Sequence, residues 1–387
     1  MALGGVFAPM AVAAPYGPDA NTPAEAAVAG VLDAGGGSLD IRSSLDALPS
    51  SSARADALGQ LSVRNYRLLP RLAIQSMDAT DRALRGSLVQ RREQILDAPA
   101  GVPLKGDRTL HLTVTYGLKQ GKYDGQVDRP RANSDSRSIM AALDVSPAPG
   151  LIIGGTLGID GIDMNLDRSQ RPRSTVFTAT YGGYASYTNG QFYVDATAAY
   201  ANTEYKVRRQ VTYAGFSDRL FSAPRGDNAS ASLEAGAIIS RGAVRLQPFA
   251  GLQYRYADLG GALEQGGDAA LAVAKFKTEA VRSNLGARVT ASTRSGDWTL
   301  RPSLEGLWQR ELKAHPDSRI EAIFADGSTP IFTFPRSRVF HRDAGIVTAA
   351  LSAVHKERTS LRLSYTGEYS SDRKIHAFGV TLSRRLP

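Results

Sequence analysis

Cysteine is absent from all 387 residues. Disulfides, thiolate zinc sites, iron–sulfur clusters and a cysteine nucleophile are thereby excluded. The absence also fits a compartment where a stray thiol would be oxidised, such as a bacterial cell envelope. Histidine is scarce, with His111, His315, His341, His355 and His376 the full set. None stands at metal-binding spacing such as HExxH. They read as solvated loop residues, so no metal and no cofactor is expected. No GxSxG occurs, and GGTLGIDG (154–161) does not match GxGxxG. Asp160 and Asp163 are conceivable as a calcium or acid/base pair, but they read as the start of an external loop. No run approaches the roughly 18 uninterrupted apolar residues of a transmembrane helix. A basic n-region is missing too. MALGGVFAPMAVAAPYG offers an apolar run and an Ala11-Val12-Ala13 triplet, yet the first Lys or Arg is Arg42. A signal peptide is not expected there, and the chain reads as beginning inside a longer precursor or at a misplaced start codon.

The formal net charge is +9, and tyrosine outnumbers tryptophan fifteen to two. Such a basic balance suits nucleic acid, an anionic membrane surface or plain solubility. Three regions separate. Residues 1–42 are rich in Ala, Gly and Pro and read as a linker or passenger remnant. Residues 43–98 read as helical, with Ser44 as one N-cap, a second serine-capped helix in SSSARADALGQLS, and a long helix over 71–96. Charges lie on all sides of that long helix, and its apolar residues form no broad stripe. It suits a water-filled cavity with polar walls better than a greasy core.

From residue 104 to 387 the period is two. In FYVDATAAYANTEY (192–205), Phe192, Val194, Ala196, Ala198 and Tyr200 share one face, with Asp195 and Thr197 on the other. LHLTVTYGL, NASASLEAGAIIS, VRLQPFAGLQYRY and SLRLSYTGEY repeat the pattern. About twelve such strands follow one another. Short turns (146–150, 188–190, 240–242, 294–297, 356–358) alternate with long polar connections (120–135, 164–172, 208–226, 260–277, 313–337). A transmembrane β-barrel enforces this alternation, with tight periplasmic turns and long external loops. In a bilayer every backbone polar group must pair within the protein, and a β protein does so only as a closed barrel. Aromatics gather at the ends of the apolar runs, as interfacial girdles do. The fold class expected is therefore an all-β membrane protein, an antiparallel barrel of about twelve strands with an N-terminal helix plugging the pore.

The alternation assigns Asp195, Thr197, Glu234, Arg245, Arg255, Arg282, Arg288, Arg301, Glu305, Arg362 and Glu368 to the lumen. Asp78, Asp81, Arg82 and Arg85 are the helix charges set to meet them. Lysine at Ala196 is expected to cost about 2–4 kcal/mol near the bilayer midplane, and asparagine at Asp195 far less. The basic clusters RSQRPR, KVRR and RSRVFHRD fall in external loops or rims. Arg168, Arg171, Arg173, Arg208, Arg209, Arg336 and Arg338 are accordingly expected to face lipopolysaccharide phosphates, which arginine binds bidentately. Nucleic acid is not expected, because these arginines are scattered over separate loops rather than set in an aromatic-lined groove.

The order of TPAEAAVAGVLDA, SLDALPSSSARADALGQLS, a helix and about twelve strands resembles the C-terminal translocator of bacterial autotransporters. YGGYASY, LQPFAGLQY, SNLGARV and LRPSLEGLWQRE add to the resemblance, which covers roughly residues 22–387. It implies a monomeric outer-membrane barrel whose pore is filled by the long helix, with both barrel ends in the periplasm and an exported passenger before the helix. The barrel-assembly machinery and periplasmic chaperones are the partners it implies. The chain ends SRRLP where such barrels finish on an aromatic. Some relatives cut themselves at an Asn-Asn pair on the pore helix, and no Asn-Asn occurs here. A passenger-less porin or channel and a surface-loop adhesin are the alternative readings, and no enzyme is expected.

Overall fold

Alternation of apolar and polar residues makes each strand greasy on one face, and the strands satisfy that pattern by closing on themselves. The computed structural model describes residues 16–97, 107–126, 129–166, 173–312, 319–327, 331–334, 340–356 and 358–386. Among them, twelve strands form the barrel wall: β1 Asp107–Tyr123, β2 Ala132–Ala148, β3 Leu151–Leu166, β4 Arg173–Thr188, β5 Phe192–Tyr213, β6 Arg225–Ala237, β7 Val244–Leu259, β8 Phe276–Ala291, β9 Trp298–Glu311, β10 Asp343–His355, β11 Thr359–Tyr369 and β12 Arg373–Arg385. Each pairs antiparallel with its sequence neighbours. The ring closes where β1 meets β12, in register from His111–Arg385 to Tyr123–Arg373. Among the described residues the closed wall leaves no edge for another chain to extend.

The outer face carries exposed leucine, isoleucine and valine at alternate positions, Leu157, Leu233, Leu252, Leu285, Leu304 and Leu363 among them. A contiguous apolar belt of this extent would be untenable in water and is what a bilayer requires. Exposed aromatics mark its margins. Tyr187, Phe192 and Trp298 lie toward the short turns, and Tyr254, Trp308 and Tyr369 toward the loops.

Twelve strands about 4.8 Å apart and tilted about 40° give a backbone radius near 12 Å. Wall side chains reduce that to a lumen on the order of an α-helix's 10–12 Å diameter. The helix α4, Leu69–Leu96, occupies it. Three shorter helices precede it: α1 Pro23–Asp33, α2 Leu39–Asp46 and α3 Ser51–Leu61.

Several expectations are corrected here. Residues 16–42 are not a linker. Thr22 and Glu25 form a reciprocal capping box that starts α1, and Val28, Ala29 and Leu32 are buried. The N-cap of α2 is Ser38 rather than Ser44, whose hydroxyl instead donates to the Ile41 carbonyl inside the helix. Ser50 caps α3. The connections read as polar loops also hold structure. Residues 216–222 pair with the end of β5, and short strands at 262–263, 271–273, 320–324 and 332–334 make a second sheet. Their alternate residues Leu271, Val273, Phe324, Phe332 and Phe334 are buried. Strands of two to five residues carry too short a pattern to stand out from the loops around them. Asp160 and Asp163 lie within β3 rather than at a loop. His111, His355 and His376 are strand residues rather than loop residues.

All these pieces meet at the loop end of the barrel. One apolar core joins α1–α3, the loop sheet, and the inner faces of the strand ends at Ile162, Val176, Tyr205, Val211 and Leu259. Leu69, Leu72, Ala73 and Ile74 of α4 belong to it. The long helix is thus bipartite. Its first two turns do pack in grease, contrary to the expectation from its charges, and the polar remainder descends toward the short turns.

The pore helix and its charged lining

Below Met77, nearly every turn of α4 offers a charged group, and the wall answers with the opposite charge at the same height. Asp78 accepts from Arg255 Nε at 2.8 Å on β7 and from Arg282 Nη1 at 2.7 Å on β8. Asp81 pairs with Arg255 Nη2 at 3.1 Å and accepts from the Thr197 hydroxyl at 2.9 Å and the Ser232 hydroxyl at 2.7 Å. Arg82 lies 3.7 Å from Glu368, which Arg373 also engages at 2.9 Å. Arg85 bridges Glu305 at 2.8 Å and Glu234 at 3.3 Å, and Arg288 closes the square with 2.6 Å and 3.4 Å to the same two carboxylates. Two guanidiniums and two carboxylates therefore alternate around one node, so no charge in it stands beside only its own sign.

The lower half adds pairs that the sequence did not single out. Arg91 donates to Asp144 at 3.0 Å, with Tyr184 holding the other carboxylate oxygen at 3.2 Å. Arg92 donates to both oxygens of Asp195 at 2.8 and 2.9 Å, and its guanidinium lies over the Tyr193 ring, 3.6 Å from the centroid. Glu93 receives Arg245 and Gln247, both at 2.6 Å. Asp97 receives Arg245 at 2.8 Å and also Arg301. Near the top, Arg71 reaches Glu311 at 3.1 Å. Glycine at 236 is required by this packing, since a Cβ there would stand 2.5 Å from the Tyr193 ring and 2.7 Å from the Pro248 carbonyl.

All eleven residues expected in the lumen lie on inward faces, and ten of them bond to α4, its C-cap residue, or a wall residue of the same network. Arg362 differs. Its Nη1 donates to Ser352 at 3.3 Å, and it makes no close ion pair among the described residues, Glu305 acting on it only through space. It lines a residual cavity of about 140 Å³ together with Gly86, Thr115, Thr348, Ser364 and Thr381. The helix therefore stands off-centre, packed chiefly against β2–β7, with the gap on its side toward β10–β12. The cavity is roomy enough for water, and Arg362, Thr115, Thr348 and Ser364 offer it hydrogen-bond partners beside apolar groups such as Val89 and Ile346.

The missed residues Arg91 and Arg92 sit among the helix charges, but their partners cannot be read from spacing along either element alone. Sequence reasoning also undervalued Asp195. Asparagine there is not cheap, because Arg92 has no accessible surface and would lose its charge partner.

The rim arginines divide. Arg173 is exposed and pairs with Asp163 at 2.5 Å. Arg208 faces outward and is exposed. Arg209 does not face lipid. One residue further along β5, it turns inward, pairs with Glu264 at 2.6 Å and donates to the Gln60 carbonyl at 2.9 Å. The period of two that exposes one arginine buries its neighbour. Arg168, Arg171, Arg336 and Arg338 lie outside the described residues.

The outward assignment of Ala196 yields a sharp expectation. Ala196→Lys should destabilise the folded barrel by about 2–4 kcal/mol. Urea titration in lipid vesicles, followed by tryptophan fluorescence, measures it. A change below about 0.5 kcal/mol would contradict the lipid-facing assignment.

A plugged, belted barrel of this kind has recognised counterparts. The family model described as "Autotransporter beta-domain" matches residues 114–366. Among curated proteins, an extracellular serine protease of Serratia marcescens is 26% identical over 210 residues, 54% of this chain. A second protease of the same name and organism is 26% identical over 206 residues. The chain spans only 20% and 19% of the length of these two relatives. Among solved structures, the translocator domain of the autotransporter NalP from Neisseria meningitidis superposes with a TM-score of 0.57 at 11% identity, covering 81% of this chain and 100% of that one. The beta domain of the Bordetella autotransporter BrkA gives 0.54 at 16% identity, covering 72% and 100%. These likenesses concern the fold. The family match spans well over half of the sequence, and the chain belongs to the autotransporter β-domain family, a translocator barrel of the bacterial outer membrane.

Proposed function

We propose that this barrel conveys an N-terminal passenger to the cell surface and then keeps α4 as its plug. The observation that carries the reading is the direction of the helix. Its first turns lie among the long loops, and its last residues, with Asp97 beside Arg245 and Arg301, lie at the short turns. With short turns periplasmic, chain preceding Leu69 stands outside the cell. The cap of α1–α3 would then be the surface-side stump on which a passenger is carried. Passage and anchoring make and break no bond in residues 16–387. Insertion by the barrel-assembly machinery, escort by periplasmic chaperones and a monomeric barrel belong to the same proposal. The name of the Serratia relatives makes a hydrolase the first passenger chemistry to test.

An epitope tag placed before Tyr16, behind a cleavable signal peptide, tests the direction. Antibody should bind it on intact cells, whereas a tag in the turn at 188–190 should bind only after permeabilisation. The reverse pattern would overturn the proposal. A porin reading has less support, because the lumen charges are paired with α4 rather than left to line an open path.

A further inference from the structure

We propose that the outward face where β12, β1 and β2 meet, at the loop end, binds the phosphates of lipopolysaccharide. The closing register sets Lys122 directly opposite Lys374, and both side chains are exposed. Like charges directly opposed across an antiparallel pair repel. Neither lysine has an ion pair or hydrogen bond among the described residues, unlike the rim cations Arg173, Lys275 and Lys277, which hold carboxylates. Four positions further along β2 from the residue facing Lys122, toward the bilayer, Arg137 is also exposed. Asp135 and, just beyond β1, Asp124 are the exposed acidic groups beside them, since neighbouring Asp163 is held by Arg173 and Thr175. Three cations thus stand against two carboxylates.

The surroundings set the height and shape of the site. Tyr369 faces Lys374 across β11 and β12. Tyr365 contacts Phe378 with ring centroids 5.1 Å apart, and its hydroxyl meets His376 Nδ1 at 2.7 Å. Aromatic rings of this kind mark the membrane interface. A cation pair just beyond them stands where outer-leaflet headgroups begin. A phosphate between the two ammoniums replaces their repulsion with two charge-assisted hydrogen bonds. The site is separate from the arginine-rich loops and rests on the outer-membrane assignment.

The test uses the full chain in nanodiscs of phosphatidylethanolamine and lipopolysaccharide. Lipopolysaccharide retained through a phosphatidylethanolamine exchange is then measured. Lys122→Gln with Lys374→Gln should weaken retention about tenfold. Lys122→Arg with Lys374→Arg should keep it, and dephosphorylated lipopolysaccharide should be retained no better by the wild type than by the glutamine variant. Equal retention by the wild-type and glutamine proteins, loss in the arginine variant equal to that in the glutamine variant, or undiminished retention of the dephosphorylated lipid would each overturn the site. Gel migration that shifts on boiling reports the barrel separately. If wild type failed to shift, the membrane-barrel reading would fail, whereas a normal shift with equal retention sinks only the site.

Discussion

Arg92→Ala should destabilise the seated helix and barrel by about 3–5 kcal/mol. The side chain is fully buried, bonds both oxygens of Asp195 and packs on Tyr193. Removing it leaves Asp195 as a buried charge held, among the described residues, only by the Ser186 hydroxyl at 2.6 Å. Asp195→Asn should cost a comparable amount, because the guanidinium then loses its counter-charge. The double variant Arg92→Met with Asp195→Leu should recover most of the loss, since apolar groups of similar volume replace a buried pair at little cost. Urea titration of the reconstituted protein measures all three. A cost below about 1 kcal/mol for Arg92→Ala would mean that water reaches the pair and that the helix is not seated as described.

The second large effect is electrical. In planar bilayers the whole chain should be silent or show only small, noisy currents through the gap beside Arg362. A barrel beginning at residue 104 should give steady open steps. Removing residues 16–62 alone should leave the pore shut, because Leu69, Leu72 and Ile74 still fill the mouth with wall residues and the charged turns of α4 remain below. Open steps from that shorter deletion would assign the seal to the cap rather than to the helix. Silence from the barrel beginning at residue 104 would count against a lumen held open by its own wall.

The wall was legible because its rule is local. Period two across β5 separates Phe192 and Val194 from Asp195 and Thr197, and the same rule runs through all twelve strands. Lumen charges such as Glu234, Arg288 and Glu305 followed from that rule alone. Their assembly into one node with Arg85 did not, since β6, β8, β9 and α4 lie far apart along the chain and meet only after closure. Arg209 was misassigned because KVRR reads as a basic cluster, while β5 continues beyond the membrane and keeps alternating. The cap was missed for a different reason. Alanine and glycine in TPAEAAVAGVLDA look like linker composition, but Val28 and Leu32 find their apolar partners in strands of the distant loops.

The spacing of the helix charges has a mechanical consequence. Each pair lies at its own height along α4, from Arg71 near the loops to Asp97 at the turns. A force pulling the exported end away from the cell acts along the helix axis and loads all of these pairs at once, in shear. They cannot be peeled one after another, and a displacement of one turn, about 5.4 Å, breaks most of them together, while Arg255 and Arg245, which each hold two carboxylates about a turn apart, pass from one to the other. The same contacts that plug the pore thus make a tether, whose strength is the sum of its bonds rather than that of the weakest.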